Sequence, residues 1–184
     1  MSRKSRPSSP GTHTPDDIAA MIRVDHAGEY GAVRIYEGQL AVLGARRSPA
    51  ADAIRHMAEQ EQRHLKTFDD LVNARRVRPT ALEPVWRIAG FALGAATAML
   101  GEKAAMACTA AVEEVIDGHY AGQIAKLGKD EAALKATVED FRADEAAHRD
   151  AALAMGAEEA PGYRLLSEAI KAGCRLAIRL SEKI

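Results

Sequence analysis

Four glutamates and two histidines recur in this chain at matched intervals: Glu29, Glu61-x-x-His64, Glu113 and Glu145-x-x-His148. An offset of 84 positions carries the first three onto the last three, and the same offset aligns YEGQLAVLG at Tyr36–Gly44 with YAGQIAKLG at Tyr120–Gly128. The chain is therefore an internal duplication. In each copy the lone glutamate precedes the Glu-x-x-His pair by 32 residues. Residues three apart on a helix share a face, so each pair presents a carboxylate and an imidazole together. Such a set suits a carboxylate-bridged dinuclear metal centre. Carboxylate and imidazole donors without thiolates favour iron or manganese over structural zinc, and iron is usual where oxygen is activated.

These ligands need helices to carry them. Thr14, Pro15, Asp16 and Asp17 read as a helix start, and the helix is expected to run to about Arg46 with Ile18, Ile22, Asp25, Glu29, Val33, Tyr36, Leu40 and Leu43 on its inward stripe. A second helix, near Pro49 to Arg76, places Ile54, Met57, Glu61, His64, Leu65, Phe68 and Leu71 on one face. The third helical region carries Met106, Ala110, Glu113, Ile116, Tyr120, Ile124 and Leu127 up to Gly128. The fourth, near Asp130 to Met155, lines up Leu134, Val138, Phe141, Glu145 and His148, and a fifth helix follows over Tyr163–Lys183.

Each of the four main helices thus turns ionisable groups toward its buried stripe. Uncompensated, four converging carboxylates would repel one another and lose their hydration, at roughly several kcal/mol each. Two divalent cations would cancel them. One glutamate from each of two helices, with Glu-x-x-His from each of the other two, is the ligand arrangement of ferritin-like dinuclear bundles. The fold class expected is all-α: a ferritin-like four-helix bundle with an internal two-fold repeat plus an additional C-terminal amphipathic helix.

At 184 residues the chain fits one domain, expected over 15–184 after a disordered tail at 1–14. A net charge of −1 argues against nucleic acid as a partner. Cys108 and Cys174 stand isolated and read as small apolar residues. The longest apolar run, Ile88–Leu100, has 13 residues, short of the roughly 20 a membrane span requires. It forms an apolar insert before the third helix, with no counterpart before the first, and Trp86 precedes it. In the last helix Lys171, Arg175 and Arg179 repeat every four residues, giving either a solvated stripe or, with the apolar segment, a membrane-surface element.

Other polar residues rank lower. Glu59, Glu114, Asp140 and Asp144 adjoin the ligands but point away from them, so they read as solvated or as supports behind the ligands. His13 and His56 read as exposed, and His26 as structural. Tyr36 and Tyr120 stand two turns beyond Glu29 and Glu113, where a core tyrosine needs a hydroxyl partner. His119 breaks the repeat, since Ile35 holds the equivalent place. With Tyr120 it is the candidate for substrate handling.

The chain resembles the demethoxyubiquinone hydroxylases, di-iron monooxygenases of ubiquinone biosynthesis. The resemblance runs from about Ile18 to the C-terminus and rests on DHAGEYGA at Asp25–Ala32, EQRH at Glu61–His64, EKAAMACTAAVEEVIDGHY at Glu102–Tyr120, FRADEAAHRD at Phe141–Asp150 and AIKAGCRLAIRLSEKI at Ala169–Ile184. It implies O₂-dependent hydroxylation of a polyprenylated methoxy-methyl-benzoquinol ring. It also implies two iron ions, with Glu29, Glu61 and His64 on one, Glu113, Glu145 and His148 on the other, and Glu61 and Glu145 bridging. His119 and Tyr120 match residues associated with substrate and electron access. NADH or the quinol itself would be the reductant. The expected location is the cytoplasmic face of the cell membrane, peripherally bound if the cell is bacterial, with other ubiquinone-biosynthesis proteins as further partners. No G-x-G-x-x-G fingerprint occurs, so a nicotinamide reductant would bind without a Rossmann domain. Iron storage, a rubrerythrin-like peroxidase and a tRNA-modifying hydroxylase fit less well. The first predicts no apolar segment, the second a C-x-x-C pair, and the third a basic surface.

Overall fold

The computed structural model describes Thr14–Ile184. The expected tail lies outside these residues except for Thr14, which is the N-cap of the first helix. The helices are α1 (Pro15–Leu43), α2 (Pro49–Arg75), α3 (Glu83–Met99), α4 (Glu102–Ile124), α5 (Ala132–Ala154) and α6 (Tyr163–Ser181), and no strand occurs among the described residues. The all-α, ferritin-like expectation holds.

Local chemistry sets the boundaries. Thr14 Oγ1 accepts the Asp17 N–H at 3.2 Å while the Asp17 carboxylate accepts the Thr14 N–H at 3.0 Å, a capping box at an acidic first turn. Helix α1 stops at Leu43 rather than near Arg46, because Ser48 must already be extended to cap α2 ahead of Pro49. The apolar segment is not a lead-in to the third helical region but a helix of its own. Gly101, at φ 114° and ψ 170°, separates α3 from α4 in a conformation that side chains rarely adopt.

Helices α1, α2, α4 and α5 form the bundle, in which α1 packs on α2 and α4 on α5. Helix α3 folds back along α1 just as α6 folds back along α4. The packing counterpart of the apolar segment is thus α6, after the second helix pair and not before the first, and the repeat is one of three helices: α1–α2–α3 followed by α4–α5–α6. Helix α4 is central and buried without a break from Ala104 to Glu113, which its Ala, Cys and Thr residues permit because their small side chains let neighbours approach from every side.

The two outer helices pack differently. A methyl group on Gly94 would stand 1.9 Å from the Ile35 carbonyl oxygen, and one on Gly38 would stand 2.2 Å from that of Phe91, so the α1 and α3 backbones touch. In the second half the positions matching Gly90 and Gly94 are Cys174 and Ile178. These side chains hold α6 farther from α4, and a cavity of about 330 Å³ opens between them. Lys171 leaves the expected basic stripe. It is 9% exposed and pairs with Glu114 at 2.6 Å. Cys108 is buried and Cys174 partly so, both as free thiols.

Two apolar clusters fill the bundle. One gathers Ile22, Phe68, Ile116, Leu134 and Phe141, and the other Leu43, Ile54, Met57, Met106 and Ala152. Along every bundle helix the glutamate falls between residues of the two clusters, so the polar layer is plugged at both ends.

Candidate metal centre

Helix α1 supplies Glu29, α2 supplies Glu61 and His64, α4 supplies Glu113, and α5 supplies Glu145 and His148. None of the six is more than 3% exposed. Their donor atoms form two overlapping groups, Glu29, Glu61, His64 and Glu145 in one and Glu61, Glu113, Glu145 and His148 in the other, each with its atoms within 4.8 Å of one another. Glu61 and Glu145 belong to both.

Hydrogen bonding sorts the carboxylates into two kinds. The Tyr120 hydroxyl donates to Glu29 Oε1, and the Tyr36 hydroxyl donates to Glu113 Oε1 at 2.7 Å. Glu29 and Glu113 therefore each keep one uncommitted oxygen, whereas Glu61 and Glu145 keep both. The imidazoles are anchored on their outer nitrogens: His64 Nε2 lies 3.0 Å from Asp144 Oδ2, and His148 Nε2 lies 3.1 Å from Gln60 Oε1. Both Nδ1 atoms face inward, His64 Nδ1 at 3.2 Å from Glu145 and His148 Nδ1 at 3.2 Å from Glu61. Six oxygens and two nitrogens, all buried and without a hydrogen-bond partner of good geometry, thus converge on one space. Buried polar atoms are rarely left so, and this donor set fits two cations of the kind that oxygen and imidazole ligands hold.

Electrostatics points the same way. Burial, then the charges of Glu145, Glu29 and Glu113, push Glu61 well above the usual carboxylate range. Burial and Glu145 do the same to Glu113. Burial disfavours the charged form of His64, yet Glu145 and Glu29 pull its pKa up to about 10. Against burial, His148 and His64 hold Glu145 down to about 2. Four carboxylates in a dry space draw positive charge from whatever can supply it. Burial and the neighbouring carboxylates also raise Tyr36 and Tyr120, which keeps both as neutral phenol donors.

The two residues expected to handle substrate are placed differently. Tyr120 is 1% exposed and touches the cluster through Glu29. His119 does not reach the cluster. Its ring lines the cavity between α4 and α6 with Gly118, Arg175, Ile178 and Arg179, and its Nε2 lies 3.2 Å from Asp25 Oδ1. Asp25 is buried and also accepts from Gln123 at 2.7 Å. His26 is structural as expected, bonding Asp69 at 2.9 Å, and His56 is exposed.

A family model described as "Ubiquinone biosynthesis protein COQ7" matches residues 16–181. The chain belongs to this family. It is 60% identical over 176 residues to the 3-demethoxyubiquinol 3-hydroxylase of Rhodospirillum rubrum, covering 95% of this chain and 82% of that protein. It is 53% identical over 170 residues to each of two proteins named NADPH-dependent 3-demethoxyubiquinone 3-hydroxylase, mitochondrial, from Rattus norvegicus and Mus musculus, covering 90% of this chain and 77% of each relative.

Four further polar residues of this COQ7-family chain back the cluster or the residues beside it. For Asp144 the alternative of a support behind the ligands is the one the structure shows, while Gln60, Gln39 and Gln123 carry no expected role. The signal was present in the repeat, because the 84-residue offset that pairs the ligands also pairs Gln60 with Asp144 and Gln39 with Gln123. Gln39 donates to Thr109 at 3.3 Å, just as Gln123 donates to Asp25, and Thr109 and Asp25 are themselves repeat partners.

Proposed function

We propose that this chain is a di-iron, O₂-dependent monooxygenase that hydroxylates the ring of a polyprenylated demethoxyubiquinol in ubiquinone biosynthesis. The observation that carries the reading is the division of the carboxylates. Two have both oxygens uncommitted and are shared between the donor groups, and two have one oxygen tied to a tyrosine. Glu61 and Glu145 would bridge, Glu29 with His64 and Glu113 with His148 would complete the two half-sites, and the family's relatives carry hydroxylase names. Iron held there would supply dioxygen activation, with one oxygen atom passing to the ring, the other leaving as water, and two electrons consumed. The reductant would be NADH, NADPH or the quinol itself, and two relatives' names contain "NADPH-dependent".

The chain's own residues do the rest. Tyr36 and Tyr120 fix the carboxylates of Glu113 and Glu29, and the two apolar clusters would keep bulk water from a metal held between them. The cavity beside His119 would receive the substrate from the surface, and the next residue, Tyr120, donates to Glu29. Helix α3 exposes Val85, Ile88, Phe91 and Met99, and Leu100 follows, at 43–76% exposure; α6 adds Leu165 and Leu176. No helix among the described residues is long and apolar enough to cross a membrane. These faces support peripheral contact with the membrane that dissolves a polyprenyl quinol, on the cytoplasmic side in a bacterial cell, where other ubiquinone-biosynthesis proteins would be partners.

The test is a single-turnover reaction. Anaerobically iron-loaded protein, reduced and mixed with a short-tailed demethoxyubiquinol and ¹⁸O₂, is expected to yield product heavier by one labelled oxygen, and Glu113→Ala none. Oxygen consumption with iron oxidation and no labelled product would replace this reading with ferroxidation.

A further inference from the structure

The duplication supplies an internal control, since each feature of one half-site can be compared with its repeat partner in the other. Most features match: a glutamate bonded by a tyrosine, a Glu-x-x-His pair, and a glutamine on a neighbouring turn. Among the positions that differ, two exchange a carboxylate for a neutral group. Behind His64 stands the carboxylate of Asp144, while behind His148 the repeat partner is the neutral amide of Gln60. One turn before Glu29 lies the buried Asp25, and one turn before Glu113 the partner is Thr109.

Asp25 is taken up by His119 and Gln123, so the difference that reaches a ligand directly is the carboxylate of Asp144 behind His64. A carboxylate accepting the outer N–H of a ligating imidazole makes its inner nitrogen a stronger donor than an amide oxygen does. Arg63 lies across this arrangement. It pairs with Asp144 and, at 3.0 Å, with Asp140. Its repeat partner is Ala147, so the second half-site has no such cation. The Arg63 side chain is 51% exposed and that of His64 is fully buried. Solvent therefore screens the guanidinium more than it screens the Asp144–His64 contact, and Arg63 mainly clamps Asp144 in place. Phe141, stacked on His64 with ring centroids 3.9 Å apart, fixes the ring from one face.

We propose that the two half-sites are unequal, with the Glu29–His64 half-site holding its metal ion more tightly because Asp144 backs His64, and the Glu113–His148 half-site holding the more exchangeable ion. Asp144 is thus a positioning residue acting through His64. The inference rests on the dinuclear reading above and adds an order of occupancy.

The experiment is an anaerobic titration of the full-length, chelator-stripped protein with ferrous iron against a competing chromophoric chelator, with thermal unfolding of each stripped variant as a fold control. Wild type should show two constants separated by about tenfold or more. Asp144→Asn should weaken the tighter constant by about 10- to 100-fold and leave the weaker one within about twofold. Gln60→Glu should tighten the weaker constant and narrow the gap. Two equal wild-type constants, or a tighter constant unmoved by Asp144→Asn in a folded protein, would overturn the inference while leaving the dinuclear site standing. No ferrous binding by wild type would overturn both.

Discussion

The contact between α1 and α3 invites a substitution that ordinary propensity rules would rate as favourable. Replacing Gly94 by alanine in the middle of a helix should gain about 1 kcal/mol from backbone propensity alone. The new methyl group would sit 1.9 Å from the Ile35 carbonyl oxygen and 2.8 Å from its carbon. Both are backbone atoms of a packed helix, so no side chain can rotate aside, and α3 must move outward. Overpacking of this kind costs about 1–3 kcal/mol and occasionally more. With backbone on both sides the upper part of that range applies, and the net loss should be about 2 kcal/mol. For a chain of this length that corresponds to a fall of about 4–8 °C in Tm. Gly122 is the control: it is the repeat partner of Gly38, and a methyl group there meets nothing within 4 Å. Gly122→Ala should hold or raise Tm. Scanning calorimetry of both variants in chelator separates packing from metal effects. A Gly94→Ala protein as stable as wild type would refute the backbone-to-backbone seating of α3 on α1.

Three further outcomes are expected. Ferrous iron at about 100 times its dissociation constant should stabilise the fold by about 2.7 kcal/mol per site; calorimetry with and without chelator reads the shift, and an unchanged Tm would count against ions in the core. Tyr36→Phe and Tyr120→Phe each orphan a buried carboxylate oxygen and should cost about 1–3 kcal/mol in urea unfolding of the stripped protein, with similar values for the two; a cost below about 0.5 kcal/mol would remove their role in holding Glu113 and Glu29. Ile88→Asp combined with Met99→Asp, at positions 68% and 76% exposed, should leave stability within about 0.5 kcal/mol yet lower co-sedimentation with lipid vesicles several-fold; undiminished co-sedimentation would take α3 out of the membrane-contact proposal.

Much of this was legible because ligand chemistry leaves a periodic trace. Glu29, Glu61, His64, Glu113, Glu145 and His148 stand on apolar stripes at repeated spacing, and the structure gathers all six. The split of the third helical region was harder to read. Between Ile88 and Leu100 a helix-favouring apolar run continues almost to α4, and Gly101 shows its special conformation only once the chain has turned. The equivalence of α3 and α6 was hidden because the two share packing direction and little composition, one built of small apolar residues and the other amphipathic and basic. Lys171 was misplaced because helical spacing reports a shared face and not which neighbour comes to meet it; Glu114 does so from α4.

Every anchor in the metal layer crosses from one repeat to the other. Tyr36 serves Glu113 and Tyr120 serves Glu29; Asp144 backs His64 and Gln60 backs His148; Gln39 reaches Thr109 and Gln123 reaches Asp25. Neither repeat can finish its own half-site. A half-length chain with this layout would need a second copy of itself before its tyrosines, glutamines and carboxylates found their partners. Because the two repeats are joined in one chain and differ in sequence, a residue in one, such as Asp144 where the other has Gln60, sets the surroundings of the other's ligand without a matching change in its own.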